Sequence, residues 1–139
     1  MFEFVEGAFE EINPSYLVVN CSGVGFMVEI PLSSYAYFKN KEKGKVFLHQ
    51  IIREDAHLLF GFASKKERTL FRALISVNGV GANTARMMLS SLETDELIRA
   101  VVKEDIATIK SIKGIGLKTA QRLIIELKDS LSKFEISET

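Results

Sequence analysis

The sequence predicts an α+β protein in which a small β-barrel domain over residues 1–63 precedes an all-α domain over residues 64–131. Up to residue 63, short runs of β-branched and aromatic residues alternate with turn-forming residues, as is typical of consecutive strands. From Ser64 onward, apolar residues recur at helical spacing instead. Residues 132–139 have few apolar positions, and we expect them to form the start of a flexible linker.

Five runs in the first domain have the composition of strands, and turn signals such as Asn13-Pro14-Ser15 separate them. The runs are residues 2–6, 16–20, 25–30, 46–52 and 58–62. Short strands of this kind have unpaired edges and an apolar face, and closing the sheet on itself removes both from solvent. We therefore expect a closed or nearly closed barrel.

The second domain begins with a capping-box signature, in which Ser64 is the expected N-cap and Glu67 lies three residues later. An apolar stripe follows over residues 70–75. A second amphipathic helix is expected to start with Thr94 as its cap, and a third covers residues 117–131. The stripes are those of ordinary helices that pack against a core.

Composition excludes several classes of protein. No apolar run among the 139 residues reaches the roughly 18 residues of a membrane span, and the acidic start lacks the basic region of a signal peptide. Cys21 is the single cysteine, and His49 and His57 have no second ligand at metal spacing. We expect a cytoplasmic protein with no metal site and no cofactor of its own.

The net charge of zero conceals an uneven distribution. Residues 1–63 hold five Lys/Arg and eight Asp/Glu, whereas residues 64–139 hold thirteen and ten. Between residues 108 and 122 there are four cations and no acid. A local excess of positive charge favours an anionic partner.

An internal repeat lies in the second half of the chain. The segment LISVNGVGANTARMML (74–89) aligns without gaps on IKSIKGIGLKTAQRLI (109–124), at an offset of 35 residues. Four apolar positions also match, namely Val77/Ile112, Val80/Ile115, Met88/Leu123 and Leu89/Ile124. The identical pairs are Ser76/Ser111, Gly79/Gly114, Gly81/Gly116, Thr84/Thr119 and Ala85/Ala120.

Each copy of the repeat is expected to join two helices through an apolar-x-Gly-apolar-Gly turn. The first Gly ends a helix in the left-handed conformation, and the apolar residue between the glycines packs against both helices. The second Gly lets the next helix begin close to an external group, with its first amides unpaired at the positive end of the helix dipole. Such a site fits a phosphate, to which Lys118 and Thr119 add a charge and a hydroxyl donor.

Glycines at this spacing also occur in other kinds of turn and in nucleotide-binding motifs. A single Gly-x-Gly is also compatible with a tight turn between packed helices, and for either copy alone this alternative stays open. A dinucleotide fingerprint requires a third Gly after a strand, but Thr119 stands at that position and a helix precedes. A P-loop ending at Lys118-Thr119 would place its glycines at Ile112 and Leu117, which excludes it.

The two copies resemble the tandem helix-hairpin-helix family of DNA-binding proteins. The wider order of motifs is similar to the RuvA family, whose members recognise Holliday junctions. In that order the segment REDA-x-LL-x-GF, residues 53–62, leads into a Lys-Glu-Arg-Thr-Leu-Phe helix and then into the two Gly-apolar-Gly turns. Gly23-Val24-Gly25-Phe26 and Pro31 fit the same family, and the resemblance covers almost all of residues 1–131.

The resemblance implies an OB-type barrel, a tandem helix-hairpin-helix domain and a homotetramer that receives an open, square four-way junction. Whether tetramers pair into octamers stays open. In such a tetramer, Glu54 and Asp55 would form an acidic pin at the centre, where their carboxylates repel an uninterrupted duplex. Taken alone, the same two residues are typical of a solvated hairpin turn.

The resemblance also implies a non-catalytic role beside a motor. The family serves RuvB, which uses ATP and Mg²⁺ for branch migration in homologous recombination, DNA repair and the SOS response, and a RuvC-type resolvase is a further partner. The family's third domain, which binds RuvB, follows a flexible linker, and this chain stops at Thr139, about where that linker begins. We expect the chain to bind junctions without engaging the motor.

One departure from the family affects the expected site. The first copy continues with Ala82-Asn83, where the family usually has Pro and Lys, so we expect the second copy to contribute more of the phosphate affinity. Two rival functions remain, a general duplex or single-strand binder without junction preference and a protein-interaction scaffold. The predicted phosphate-binding residues are Gly79, Val80, Gly81, Asn83, Thr84, Gly114, Ile115, Gly116, Lys118, Thr119 and Arg122.

Overall fold

The computed structural model describes residues 1–134. It forms two compact units, Met1–Thr69 and a second unit that begins at Leu70. The predicted linker over residues 132–139 lies mostly outside the described residues. Across residues 1–134, no helix combines the length and the apolar character needed to cross a membrane.

The first unit contains a closed barrel of five strands, which neighbour one another in the order β1-β2-β3-β5-β4. All neighbouring pairs are antiparallel except β3 and β5, which run parallel. The predicted fold class and the closed barrel are therefore confirmed. The strands are β1 (Phe4–Ile12), β2 (Tyr16–Cys21), β3 (Val24–Glu29), β4 (Lys43–Arg53) and β5 (Ala56–Phe62).

Strand alternation fills the barrel, since every second residue of a strand points inward. Leu17 on β2 pairs with Val28 on β3, and both are fully buried. A bulge in β1 between Phe9 and Glu11 increases the local bend, which helps this strand pair with both β2 and β4. The core consists of Val5, Leu17, Val19, Val28, Ile30, Phe38, Val46 and Leu48.

A short helix that the sequence did not predict, α1 (Leu32–Phe38), follows β3. Its Phe38 is fully buried in the barrel core and packs edge-on against Phe9, with ring centroids 5.3 Å apart. The helix has only seven residues and no side-chain cap hydrogen bond, so its sequence carries little helical signal. Burial of its last residue, rather than local propensity, explains why it forms.

The remaining helices are α2 (Lys65–Ile75), α3 (Ala82–Ser91), α4 (Thr94–Val102), α5 (Ile106–Lys110) and α6 (Leu117–Leu131). The Glu67 amide donates to Ser64 Oγ at 3.1 Å, which confirms Ser64 as a cap. The expected cap at Thr94 is wrong, because Glu93 caps α4 and forms a capping box with Glu96. In this capping box the Glu93 side chain faces the Glu96 amide, and the Glu93 amide donates to Glu96 Oε1 at 3.4 Å.

Candidate nucleic-acid interface

Two turns of the second unit have the same backbone geometry. We call them the first hairpin (residues 77–81) and the second hairpin (residues 112–116). Gly79 has φ +96° and Gly114 has φ +89°, in the left-handed region that favours glycine. Gly81 and Gly116 are extended, with φ −87° and −89°, and cap the helices that follow. The predicted left-handed glycines are confirmed in both copies.

A buried apolar side chain anchors each hairpin. Val80 and Ile115 are each 5% exposed, although the glycines on both sides of them lie at the surface. The Val80 amide donates to the Val77 carbonyl at 3.0 Å, and the Ile115 amide donates to the Ile112 carbonyl at 3.1 Å. Because the apolar residue is held in the interior, the glycine backbone beside it is presented to solvent in a fixed position.

The helices that leave the hairpins, α3 and α6, begin with amide donors that no side chain caps. The first helical bonds run from Ala85 to the Gly81 carbonyl at 2.9 Å and from Ala120 to the Gly116 carbonyl at 3.0 Å. The amides of the three residues before each of these donors have no acceptor within the helix. They lie at the positive end of the helix dipole, an arrangement that binds anions such as phosphate.

The side chains of the first helical turns differ between the two hairpins. Asn83 is exposed at the start of α3, and Lys118 is exposed at the equivalent position of α6. Thr84 and Thr119 are half-buried at the next position of each helix. Lys118 brings a positive charge to the second hairpin, whereas Asn83 can offer only hydrogen bonds. The first helical turn after the second hairpin thus carries a positively charged side chain that the corresponding turn after the first hairpin lacks.

One predicted phosphate-binding residue contacts the opposite hairpin. Arg122 on α6 is exposed, and its Nη1 donates a hydrogen bond to the main-chain carbonyl of Asn78 at 3.1 Å. Asn78 was not among the residues predicted for the site. The only sign of it in the sequence is that Asn78 comes immediately before Gly79. The contact uses its main-chain carbonyl, which every residue has, so the residue type could not predict it.

The acidic residues singled out in the sequence lie at the tip of a hairpin in the first unit. Glu54 and Asp55 form the turn between β4 and β5, and both are exposed. The last strand pair before the turn joins Arg53 to Ala56. Two carboxylates at an exposed tip repel phosphates that approach the tip directly.

Two family models match consecutive parts of the chain. The model of the RuvA N-terminal domain matches residues 1–61, and that of the SAM-like helix-hairpin-helix tandem matches residues 71–129. A protein of Christiangramia forsetii, named Holliday junction branch migration complex subunit RuvA, is 49% identical over 133 residues, which are 96% of this chain and 69% of that relative. The chain belongs to the RuvA family.

Further relatives in the RuvA family have the same name. The Bacteroides fragilis protein is 47% identical over 131 residues, covering 94% of this chain and 65% of the relative. The Flavobacterium psychrophilum protein is 48% identical over 133 residues, covering 96% and 69%. The chain thus spans about two thirds of the length of these RuvA relatives.

Proposed function

We propose that this chain is a non-catalytic DNA-binding subunit that recognises four-way (Holliday) junctions as a homotetramer. In this proposal it positions the junction on which the RuvB ATPase of its family acts in branch migration, during homologous recombination and DNA repair. The observation that carries the proposal is the pair of hairpins with matching backbone geometry, each followed by a helix whose first amides are uncapped. The printed names of the relatives point to the same activity.

Phosphate contact explains the affinity in this proposal. The two hairpins hold two phosphates of a duplex through main-chain amides, Thr84 and Thr119, while Lys118 adds a positive charge. Such contacts touch no base edges, so binding is independent of sequence and weakens steeply with salt. Sequence independence suits a target that is defined by its branched shape.

Preference for a junction over a duplex comes from the acidic hairpin tip in this proposal. In a four-fold assembly, four copies of Glu54 and Asp55 surround the centre, where a continuous duplex would bring its phosphates against them. The strands of a junction diverge around the centre and escape this repulsion. The attraction at the hairpins and the repulsion at the tip together select four-way DNA.

Energy for branch migration comes from the partner in this proposal. RuvB hydrolyses ATP with Mg²⁺, whereas this chain positions the junction. Within residues 1–134, no group of three or more His, Cys, Asp or Glu side chains is arranged to hold a metal ion. The proposed contribution of this chain is to bind and orient the junction.

A competition gel shift tests the proposal. A labelled four-way junction is bound at near-physiological salt and challenged with unlabelled linear duplex of matched length. We expect a large molar excess of duplex to leave the junction bound. Equal competition would favour a general DNA-binding protein instead, and absence of any shift, at low salt as well, would favour a protein-interaction scaffold.

A further inference from the structure

We infer that Arg122 is a positioning residue. It lies on α6, which follows the second hairpin, but it holds the backbone of the first hairpin, so both copies of the repeat contribute to the first phosphate site. The inference rests on the proposed function, since it concerns how phosphate is held. Its starting point is the hydrogen bond from Arg122 Nη1 to the Asn78 carbonyl at 3.1 Å, which joins residues 44 positions apart.

The guanidinium lies beside the backbone that would face a phosphate. A methyl group built on Gly79 would have Arg122 Nη1 3.9 Å away, so the cation sits next to the left-handed glycine of the first hairpin. A guanidinium carries five N–H donors in a planar fork, and the bond to Asn78 uses one of them. The exposed group keeps further donors for an anion at the same place.

The first hairpin has no cation of its own at the position where the second hairpin has one. Asn83 is the counterpart of Lys118, and it is neutral. Arg122 therefore supplies, from the other copy of the repeat, the positive charge that the first helical turn of α3 lacks. A charged donor close to a phosphate strengthens the contact more than a neutral amide does.

The residue equivalent to Arg122 in the first copy of the repeat cannot make the same contact. At the offset of 35 residues, the counterpart of Arg122 is Met87 and the counterpart of Asn78 is Lys113. A thioether has no N–H to donate to a carbonyl, so Met87 cannot return the same bond to the second hairpin. Loss of Arg122 is thus expected to affect the first hairpin far more than the second.

Amide hydrogen exchange of the DNA-free protein tests the contact by itself. In Arg122→Gln, we expect faster exchange at the first-hairpin amide of Val80, by about tenfold, and little change at Ile115 in the second hairpin. Arg122→Lys keeps the charge but loses the planar fork, and it should show a similar local increase. Unchanged exchange at Val80 in both variants, or equal increases at both amides, would overturn the positioning role.

A double-mutant cycle on DNA tests the charge. Arg122→Gln is expected to weaken junction binding by about tenfold, and Asn83→Lys should restore most of that loss because it returns a cation to the same hairpin. Asn83→Lys should raise the junction affinity of Lys118→Ala no more than it raises that of the parent protein, since Lys118 lies at the second hairpin. Lys103→Ala, which removes an exposed cation at the end of α4, is the matched control and should bind like the parent.

The outcomes separate this inference from the proposed function. Equal gains from Asn83→Lys in the parent, Arg122→Gln and Lys118→Ala backgrounds would overturn the shared site while leaving DNA binding intact. Failure of the parent protein to bind any DNA would overturn the proposed function and the phosphate role of Arg122 together. Equal binding of junction and duplex would remove only the junction preference, and rescue by Asn83→Lys would still support the shared site.

Discussion

Arg68 Nη2 lies 2.8 Å from Glu3 Oε2 and Arg68 Nη1 lies 2.9 Å from Glu3 Oε1, so the two side chains form a two-point ion pair within the first unit. Nη1 also donates to the Leu48 carbonyl at 3.2 Å and to the Glu3 carbonyl at 2.8 Å. The side chain of Arg68 is 7% exposed and lies over the ring of Phe47, 5.6 Å from its centroid. This arrangement ties the start of α2 to the barrel.

Removal of this arginine should destabilise the protein. Arg68→Ala is expected to lower the free energy of unfolding by about 3 kcal/mol, because two main-chain carbonyls lose a charged donor and the ring of Phe47 loses its cover. Glu3→Gln should cost less than about 1 kcal/mol, since the Glu3 side chain is 57% exposed and water screens its charge. Urea unfolding measures both variants, and equal losses would show that the ion pair itself dominates.

Glu67 gives the first unit a specific dependence on pH. Its carboxylate is buried and accepts a hydrogen bond from Ser34 Oγ. Burial raises the pKa of Glu67, and the hydrogen bond from Ser34 opposes that rise only in part. A carboxyl with a higher pKa in the folded state binds more protons there, so its contribution to stability falls as pH rises from the ordinary Glu range through the raised pKa.

Glu67→Gln should remove this dependence. We expect the variant to be more stable than the parent at pH 7 and to lose the advantage near pH 4, when measured by urea unfolding at both values. Ser34→Ala removes a hydrogen bond that lowers the pKa of Glu67, so stability should fall more steeply between the same values. If the difference in stability between the parent and Glu67→Gln is the same at both pH values, the raised pKa of the buried Glu67 carboxyl is contradicted.

The four glycines of the hairpins should separate stability from binding. Gly79→Ala and Gly114→Ala place a side chain at φ +96° and +89°, which is expected to cost about 1–2 kcal/mol of folding stability each. Gly81 and Gly116 have extended backbones, and an added Cβ would meet nothing within 4 Å. Alanine at these two positions should change stability by no more than about 0.5 kcal/mol.

The affinity for DNA should depend on Gly81 and Gly116, the two glycines that matter little for stability. Each methyl group at Gly81 or Gly116 stands where the proposed phosphate approaches, so we expect these variants to lose junction affinity at unchanged melting temperature. Gel shifts beside thermal unfolding provide the comparison. Full affinity in the double variant of Gly81 and Gly116 would mean that phosphate does not approach these caps.

Lys118 should contribute to affinity for all DNA. Lys118→Ala is expected to weaken binding to junction and duplex alike, and to reduce the slope of log affinity against log salt by about one unit. Lys103→Ala should leave the slope unchanged. The measurement is a salt titration of binding to a labelled junction, and an unaltered slope in Lys118→Ala would remove this residue from the phosphate site.

The acidic tip should act against duplex DNA in particular. Changing Glu54 to Gln and Asp55 to Asn removes two charges at similar size, so affinity for linear duplex should rise more than affinity for the junction. Equilibrium binding to the two DNAs at the same salt gives the ratio. A ratio equal to that of the parent would show that the tip has no part in selecting the junction.

Local sequence patterns were sufficient for much of the fold. Alternating apolar residues predicted the barrel strands, because side chains on a strand alternate between its two faces. The repeat predicted the left-handed Gly79 and Gly114 together with the buried Val80 and Ile115, since a tight turn between helices restricts which residues fit. Helix α1 was not predicted, because its stability depends on the burial of Phe38 in a barrel formed by distant strands.

Patterns within the sequence were enough to predict the two-part architecture, the barrel and the paired Gly-apolar-Gly turns with the residues around them. Which polar groups meet across the chain depended on the tertiary structure. Glu67 with Ser34, Arg122 with Asn78 and Arg68 with Glu3 are separated by 33, 44 and 65 residues. Such pairs form because packing brings distant parts of the chain together, and no local pattern specifies which groups meet. For the buried Glu67 and Arg68, the cost of leaving a polar group without a partner adds a further requirement.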